Sequence, residues 1–191
     1  MAMRQSRMLA IGTPAPEFAL PDPAGKICAL KDFASSPALL IAFICNHCPY
    51  VKHVIGGFAA FTREYSSKGL AVVAISANDI KAYPDDAPPA MARFAHEHGF
   101  TFPYLYDESQ AVAKDYQAMC TPDFFLFDRA RKLVYRGQFD GSRPGGKVPV
   151  TGKDMRAAVD ALLAGRSLPQ DQVASAGCSI KWKAGNEPEW A

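Results

Sequence analysis

A chain of 191 residues with 49% hydrophobic side chains and no low-complexity tract is long enough for one well-packed domain of ordinary size. Its 21 basic and 19 acidic side chains leave a formal net charge of +2 without a basic cluster, which argues against nucleic acid or an anionic membrane as the main partner. Met1 to Gly12 lacks the continuous apolar run of a signal peptide, and no later stretch is long enough to span a bilayer, so the simplest expectation is a cytoplasmic protein.

Along the chain, Pro16 to Phe33 places two short strand-like pieces around a Pro, Asp and Gly turn and predicts an N-terminal β-hairpin. Ala38 to Ile44 is an apolar run that reads as a buried strand, with Cys45-Asn46-His47-Cys48-Pro49 directly behind it. From Tyr50 to Tyr65 the apolar residues recur at helical spacing, and Lys68-Gly69 supplies a stop. Gly56 and Gly57 interrupt that pattern at a cost of about 1 kcal/mol each against alanine, so a kink or a close backbone contact is expected there.

Leu70 to Ile75 is a second apolar strand, and strand, helix, strand implies a parallel βαβ unit. Asn78 to Phe100 reads as an insertion with a helix that begins at Pro88-Pro89 and stops at Gly99. A short extended piece over Phe102 to Tyr106 and a short helix over Gln110 to Ala118 follow. Phe124 to Phe127 and Leu133 to Gly137 then form an antiparallel hairpin, Gly141 to Gly152 a loop, and Asp154 to Leu163 an amphipathic helix. The reading divides the chain into an N-terminal segment (1–12), a core domain (13–166) and a tail (167–191) packed on it.

The five cysteines, Cys28, Cys45, Cys48, Cys120 and Cys178, are odd in number and widely spread, which in a reducing compartment favours redox, metal or buried thiols over a disulfide framework. Cys28 alternates with apolar neighbours and reads as a packing residue. Cys45 and Cys48 stand at the start of a helix, where free backbone N–H groups and the helix dipole favour a thiolate. The first cysteine is therefore the expected nucleophile, attacking a substrate disulfide to give a mixed disulfide that Cys48 resolves.

Phe43 to His53, Cys120-Thr121-Pro122-Asp123-Phe124-Phe125 and Gly177 to Lys183 together resemble the peroxiredoxin-like branch of the thioredoxin-like superfamily, the alkyl hydroperoxide reductase and thiol-specific antioxidant family. The resemblance implies an α/β thioredoxin-like fold: a central mixed β-sheet flanked by helices, with an N-terminal β-hairpin, a helical insertion and a C-terminal tail. It also implies that Pro122 is a cis-proline facing the cysteine pair, that Thr121 offers backbone hydrogen bonds to a bound peptide, and that Cys120 lies near the pair as an auxiliary thiol. His47 sits between the cysteines as in the more oxidising members. There it either stabilises the thiolate, raising the potential by tens of millivolts above thioredoxin's ~−270 mV, or is a solvated residue at a helix terminus.

Two departures stand out. Ile44 replaces the tryptophan of thioredoxin, and Ala38 to Ile44 holds no carboxylate, so the proton acceptor for the resolving thiol is unassigned. If Cys48 is matched to a peroxidatic cysteine, Cys45 and Ile41 occupy the threonine and proline positions of peroxiredoxins.

The reading that follows is a thiol–disulfide oxidoreductase without an organic cofactor, using Cys45, Cys48, Thr121 and Pro122, with protein or small-molecule thiols and disulfides and an upstream reductase as partners. Its alternatives are a weak thiol peroxidase using Cys48, and a metal-handling or partner-binding module. Any metal would fall to Cys45, His47, Cys48 and Cys120. Cys178 and Trp182 are expected to anchor the tail, with a regulatory thiol as the other reading of Cys178.

Overall fold

A computed structural model describes residues 3–190 of the chain. Strand β1 (Met3–Gln5) precedes the predicted hairpin of β2 (Ala19–Pro21) and β3 (Ile27–Ala29). Its turn is closed by the Asp22 carboxylate, which accepts from the Ala24 and Lys26 amides at 2.8 and 3.0 Å, the backbone mimicry that favours aspartate in turns. Next come β4 (Ala38–Phe43), α1 (Pro49–Ser66) and β5 (Leu70–Ser76). The insertion contributes a 3-10 turn, Pro84–Asp86, and α2 (Pro88–Glu97). Strand β6 (Tyr104–Tyr106), α3 (Ala111–Asp115), β7 (Cys120–Thr121), β8 (Asp123–Phe127), β9 (Leu133–Arg136), α4 (Lys153–Leu163) and β10 (Ala176–Ser179) complete the order.

The main sheet has the order β6-β5-β4-β8-β9. β4 runs parallel to β5 and antiparallel to β8, so α1 is the crossover of the predicted βαβ unit and the sheet is mixed. All six residues of β4 are buried, and their alternation explains why an unbroken apolar run was needed. Ala38, Leu40 and Ala42 face the core under α1 and α4. Leu39, Ile41 and Phe43 face a second core around Tyr116 and Phe125. This places the end of β4, and the cysteines behind it, between two packed layers. The fold is that of thioredoxin-like proteins.

Helix α1 is continuous through Gly56 and Gly57. Of the two expectations for the glycine pair, close contact is met at Gly57, where a Cβ would lie 2.7 Å from Val150 Cγ1, whereas Gly56 has open space.

A second, antiparallel sheet of order β1-β10-β7 was not anticipated from the sequence. Met3 to Gln5 pair with residues 176–178, and Cys178 and Ser179 pair with Thr121 and Cys120. The tail is thus a central strand there. Beyond it Trp182 meets Trp190 edge-on with centroids 6.0 Å apart, and Arg7 lies over the Trp190 ring.

Candidate active site

The two cysteines of the pair are free, and each is 1% exposed or less. β4 ends at Phe43 and α1 begins at Pro49, so Cys45 lies in the connecting loop and Cys48 is the N-cap of the helix. Proline at the first helical position suits this junction, since its missing N–H is one the helix leaves unpaired anyway. Thr121 faces both sulfurs. Cys45 Sγ is 3.3 Å from Thr121 Oγ1, and Cys48 Sγ donates to the Thr121 carbonyl over 3.1 Å. The Thr121–Pro122 bond is cis, as the resemblance implied.

The Cys45 and Cys178 thiols, the Thr121 hydroxyl and the Val51 amide converge on Cys48 and hold it down at about 5, Cys45 exerting the largest effect. The same contact, with burial and the Asp86 carboxylate, lifts Cys45 well above the ordinary thiol range. The pair is thus polarised, with the Cys48 thiol drawn down and the Cys45 thiol pushed up.

The Thr121 contacts, for their part, match the proton's placement on Cys48. When Cys48 holds it, its S–H has the Thr121 carbonyl as acceptor, and Cys45 is left as a thiolate with the Thr121 hydroxyl as donor.

Asp86, fully buried in the insertion's 3-10 turn, organises the two residues between the cysteines. Its Oδ1 accepts from the Asn46 and His47 amides at 2.8 and 3.3 Å, while its Oδ2 bonds His47 Nδ1 at 2.6 Å and Asn78 Nδ2 at 2.8 Å. His47 also stacks on Tyr83 at a centroid distance of 5.2 Å. Asn46 donates to the Asp85 carbonyl and accepts from the Tyr104 hydroxyl. The imidazole is thus pinned against the insertion, neither solvated nor in hydrogen-bond contact with a cysteine. The sequence reading of the Asn78 to Phe100 insertion assigns no site residue there, although the adjacent carboxylates of Asp85 and Asp86 were an available signal.

Cys45, His47 and Asp86 bring one ligand atom each to within 4.8 Å of one another. Cys48 and Cys120, named with Cys45 and His47 as metal candidates, do not join this group. Cys120 is buried in β7 with its Sγ 3.5 Å from the Pro122 carbonyl, and burial next to Asp123 pushes its thiol well up. Asp123 is a second carboxylate missed in the sequence. Burial raises it to about 7 although the Ser6 hydroxyl and the Met119 amide donate to it. Cys178 proves to be a neighbour of the pair. A shallow cleft beside Pro122, lined by Tyr50, His53, Phe124, Gln138 and Ser142 among others, flanks the site.

Comparison with known proteins supports the same family. The chain is 28% identical over 130 residues to the thiol-disulfide oxidoreductase ResA of Bacillus anthracis, covering 65% of this chain and 67% of that protein. The crystal structure of a hypothetical protein from Sinorhizobium meliloti 1021 superposes with a TM-score of 0.94 at 51% identity, covering 95% of this chain and 99% of the other. A putative thiol:disulfide interchange protein DsbE from Chlorobium tepidum shares the fold, with a TM-score of 0.64 at 24% identity, covering 81% and 99%. The model of the AhpC/TSA family matches residues 11–136, and with the buried cysteine pair held against Thr121-Pro122 the chain belongs to that family.

Proposed function

We propose that the protein is a thiol–disulfide oxidoreductase that exchanges disulfides through Cys45 and Cys48. The observation that carries the reading is the contact of both sulfurs with the one residue before a cis-proline, whose carbonyl accepts from the Cys48 thiol and whose hydroxyl can donate to a Cys45 thiolate. Similarity to ResA supports it at the level of the reaction class.

In the forward direction the proton passes from Cys45 to Cys48, and the Cys45 thiolate attacks one sulfur of a substrate disulfide. That S–S bond breaks, its other sulfur leaves as a thiolate, and Cys45 carries the mixed disulfide. The departed substrate thiolate takes up the Cys48 proton, and the Cys48 sulfur attacks Cys45. The second substrate thiol leaves, the substrate has gained two electrons, and the protein holds a Cys45–Cys48 disulfide. An upstream reductase restores the dithiol by the reverse exchange.

Oxidised glutathione tests the order of events. Cys48→Ser should accumulate a stable glutathione adduct on Cys45, because the resolving sulfur is gone, and Cys45→Ser should accumulate much less. Equal adducts on both variants, or none on either, would refute the assignment.

A further inference from the structure

Cys178 is set apart from the other cysteines by what its strand touches. In the antiparallel pairing of β10 with β7, Cys178 stands directly opposite Thr121. Directly opposed residues project to the same face with Cβ atoms roughly 4.5–5.5 Å apart. The Thr121 side chain on that face reaches Cys45 at 3.3 Å, and the Thr121 carbonyl receives Cys48 at 3.1 Å. The next pair along, Ser179 with Cys120, must face the other way, and Cys120 indeed turns to the Pro122 carbonyl. Cys45, Cys48 and Cys178 line one continuous buried core.

The approach is unusually close. A Cβ on Gly177 would fall 2.0 Å from the Thr121 carbonyl oxygen, so only glycine lets β10 lie so near the cis-proline peptide. The backbone that the resemblance implied would be offered to a bound peptide is thus engaged by the chain's own tail, which presents a cysteine to the pair.

We propose that Cys178 is a third redox thiol of the site, able to form a disulfide with Cys48 that interconverts with the Cys45–Cys48 disulfide. The inference rests on the dithiol reading above. Starting from the oxidised pair, Cys178 loses its proton and its sulfur attacks Cys48. The Cys48–Cys178 bond forms, the Cys45–Cys48 bond breaks, and the electron pair leaves on Cys45, which takes up the proton. No net oxidation occurs, and no outside reagent is required. In the reduced state burial and the neighbouring Cys48 sulfur keep Cys178 protonated, its thiol pushed up to about 12. The exchange therefore belongs to the oxidised pair, in which Cys48 carries no charge. Its consequence is a form of the site in which the disulfide is stored internally while Cys45 is free to attack again.

The test is diamide oxidation of the native protein, of Cys45→Ser and of Cys178→Ser, followed by acid quench, alkylation and disulfide mapping by mass spectrometry. Diamide accepts the two electrons and two protons released as each disulfide forms. The expected products are Cys45–Cys48 with a detectable share of Cys48–Cys178 in the native chain, Cys48–Cys178 as the main species in Cys45→Ser, and Cys45–Cys48 alone in Cys178→Ser. A Cys45→Ser protein that leaves Cys178 alkylated, or links Cys48 elsewhere, overturns the proposal. Should that variant fail to fold, the native map decides by itself, and absence of the Cys48–Cys178 peptide overturns it. Loss of Cys45–Cys48 from both the native and Cys178→Ser maps would instead refute the dithiol reading, so the two failures are distinct.

Discussion

Replacing Asp86 by asparagine removes a buried negative charge beside the cysteine pair while keeping the shape of the side chain. The amide oxygen still accepts from the Asn46 and His47 backbone, but the new NH2 faces Asn78 Nδ2, a donor against a donor. That mismatch costs about 1–3 kcal/mol of stability. The larger effect is on the thiolate. Asp86 lies within 4.8 Å of the Cys45 sulfur, and at that distance two unit charges repel by about 3.5 kcal/mol at an effective dielectric of about 20.

Because Cys45 is the sulfur whose thiol is pushed up, only part of this repulsion is felt in the reduced protein; its relief stabilises the reduced form and not the disulfide, so the potential rises. At about 30 mV per 1.4 kcal/mol for a two-electron couple the upper limit is about 75 mV, and sharing of the charge with Cys48 brings the expected rise to a few tens of millivolts. Equilibration in glutathione buffers, with the pair's state read by alkylation, measures it. A potential that stays put or becomes more negative in a folded Asp86→Asn protein would refute the electrostatic account of this residue.

Asp123 makes stability depend on pH. Its carboxyl is raised from 3.8 to about 7 by burial, so the folded state holds a proton that the unfolded chain has lost. The associated stability is fully present below pH ~4 and falls as pH rises to about 7, by on the order of 4 kcal/mol at 1.36 kcal/mol per unit. Urea unfolding of Asp123→Asn from pH 4 to 8 should lack that decline; a slope equal to that of the native chain would contradict the reasoning. Gly56→Ala should raise stability by about 0.5–1 kcal/mol through helix propensity alone, while Gly57→Ala should not, because its Cβ meets Val150 at 2.7 Å; denaturation midpoints check the contrast. Gly177→Ala places a methyl group 2.0 Å from the Thr121 carbonyl and should cost about 3 kcal/mol or more by prising β10 from β7, read as a lowered melting temperature; an unchanged one would show that β10 is not clamped there.

What could be read in the sequence was what repeats. The apolar run of β4, the helical spacing of α1 and α4 and the turn residues of the β2–β3 hairpin each carry a period or a stop signal, and each element forms at the expected place. β1, β7 and β10 have two to four residues apiece, too few for any periodicity, and they exist because they pair with one another across the length of the chain. The single local hint was Gly177, whose missing side chain is a tertiary requirement.

The same division holds at the site. Cys45, Cys48 and the Thr121-Pro122 turn were visible as motifs, but Asp86 reaches the Asn46-His47 loop only through the fold of the insertion, and Cys178 reaches Cys48 only through β10. The exact helix boundary was not legible either: a helix starting at Pro49 makes Cys48 the N-cap and leaves Cys45 a loop residue.

The most direct measurement of the central claim is a titration of the native protein across glutathione redox buffers, with every cysteine assigned by peptide mass spectrometry. The account predicts a Cys45–Cys48 disulfide that forms and breaks reversibly at a defined potential, above thioredoxin's ~−270 mV because the reduced pair is stabilised as a thiolate. A pair that stays as free thiols across the whole range, or Cys48 oxidised alone to a sulfenic acid, would contradict it.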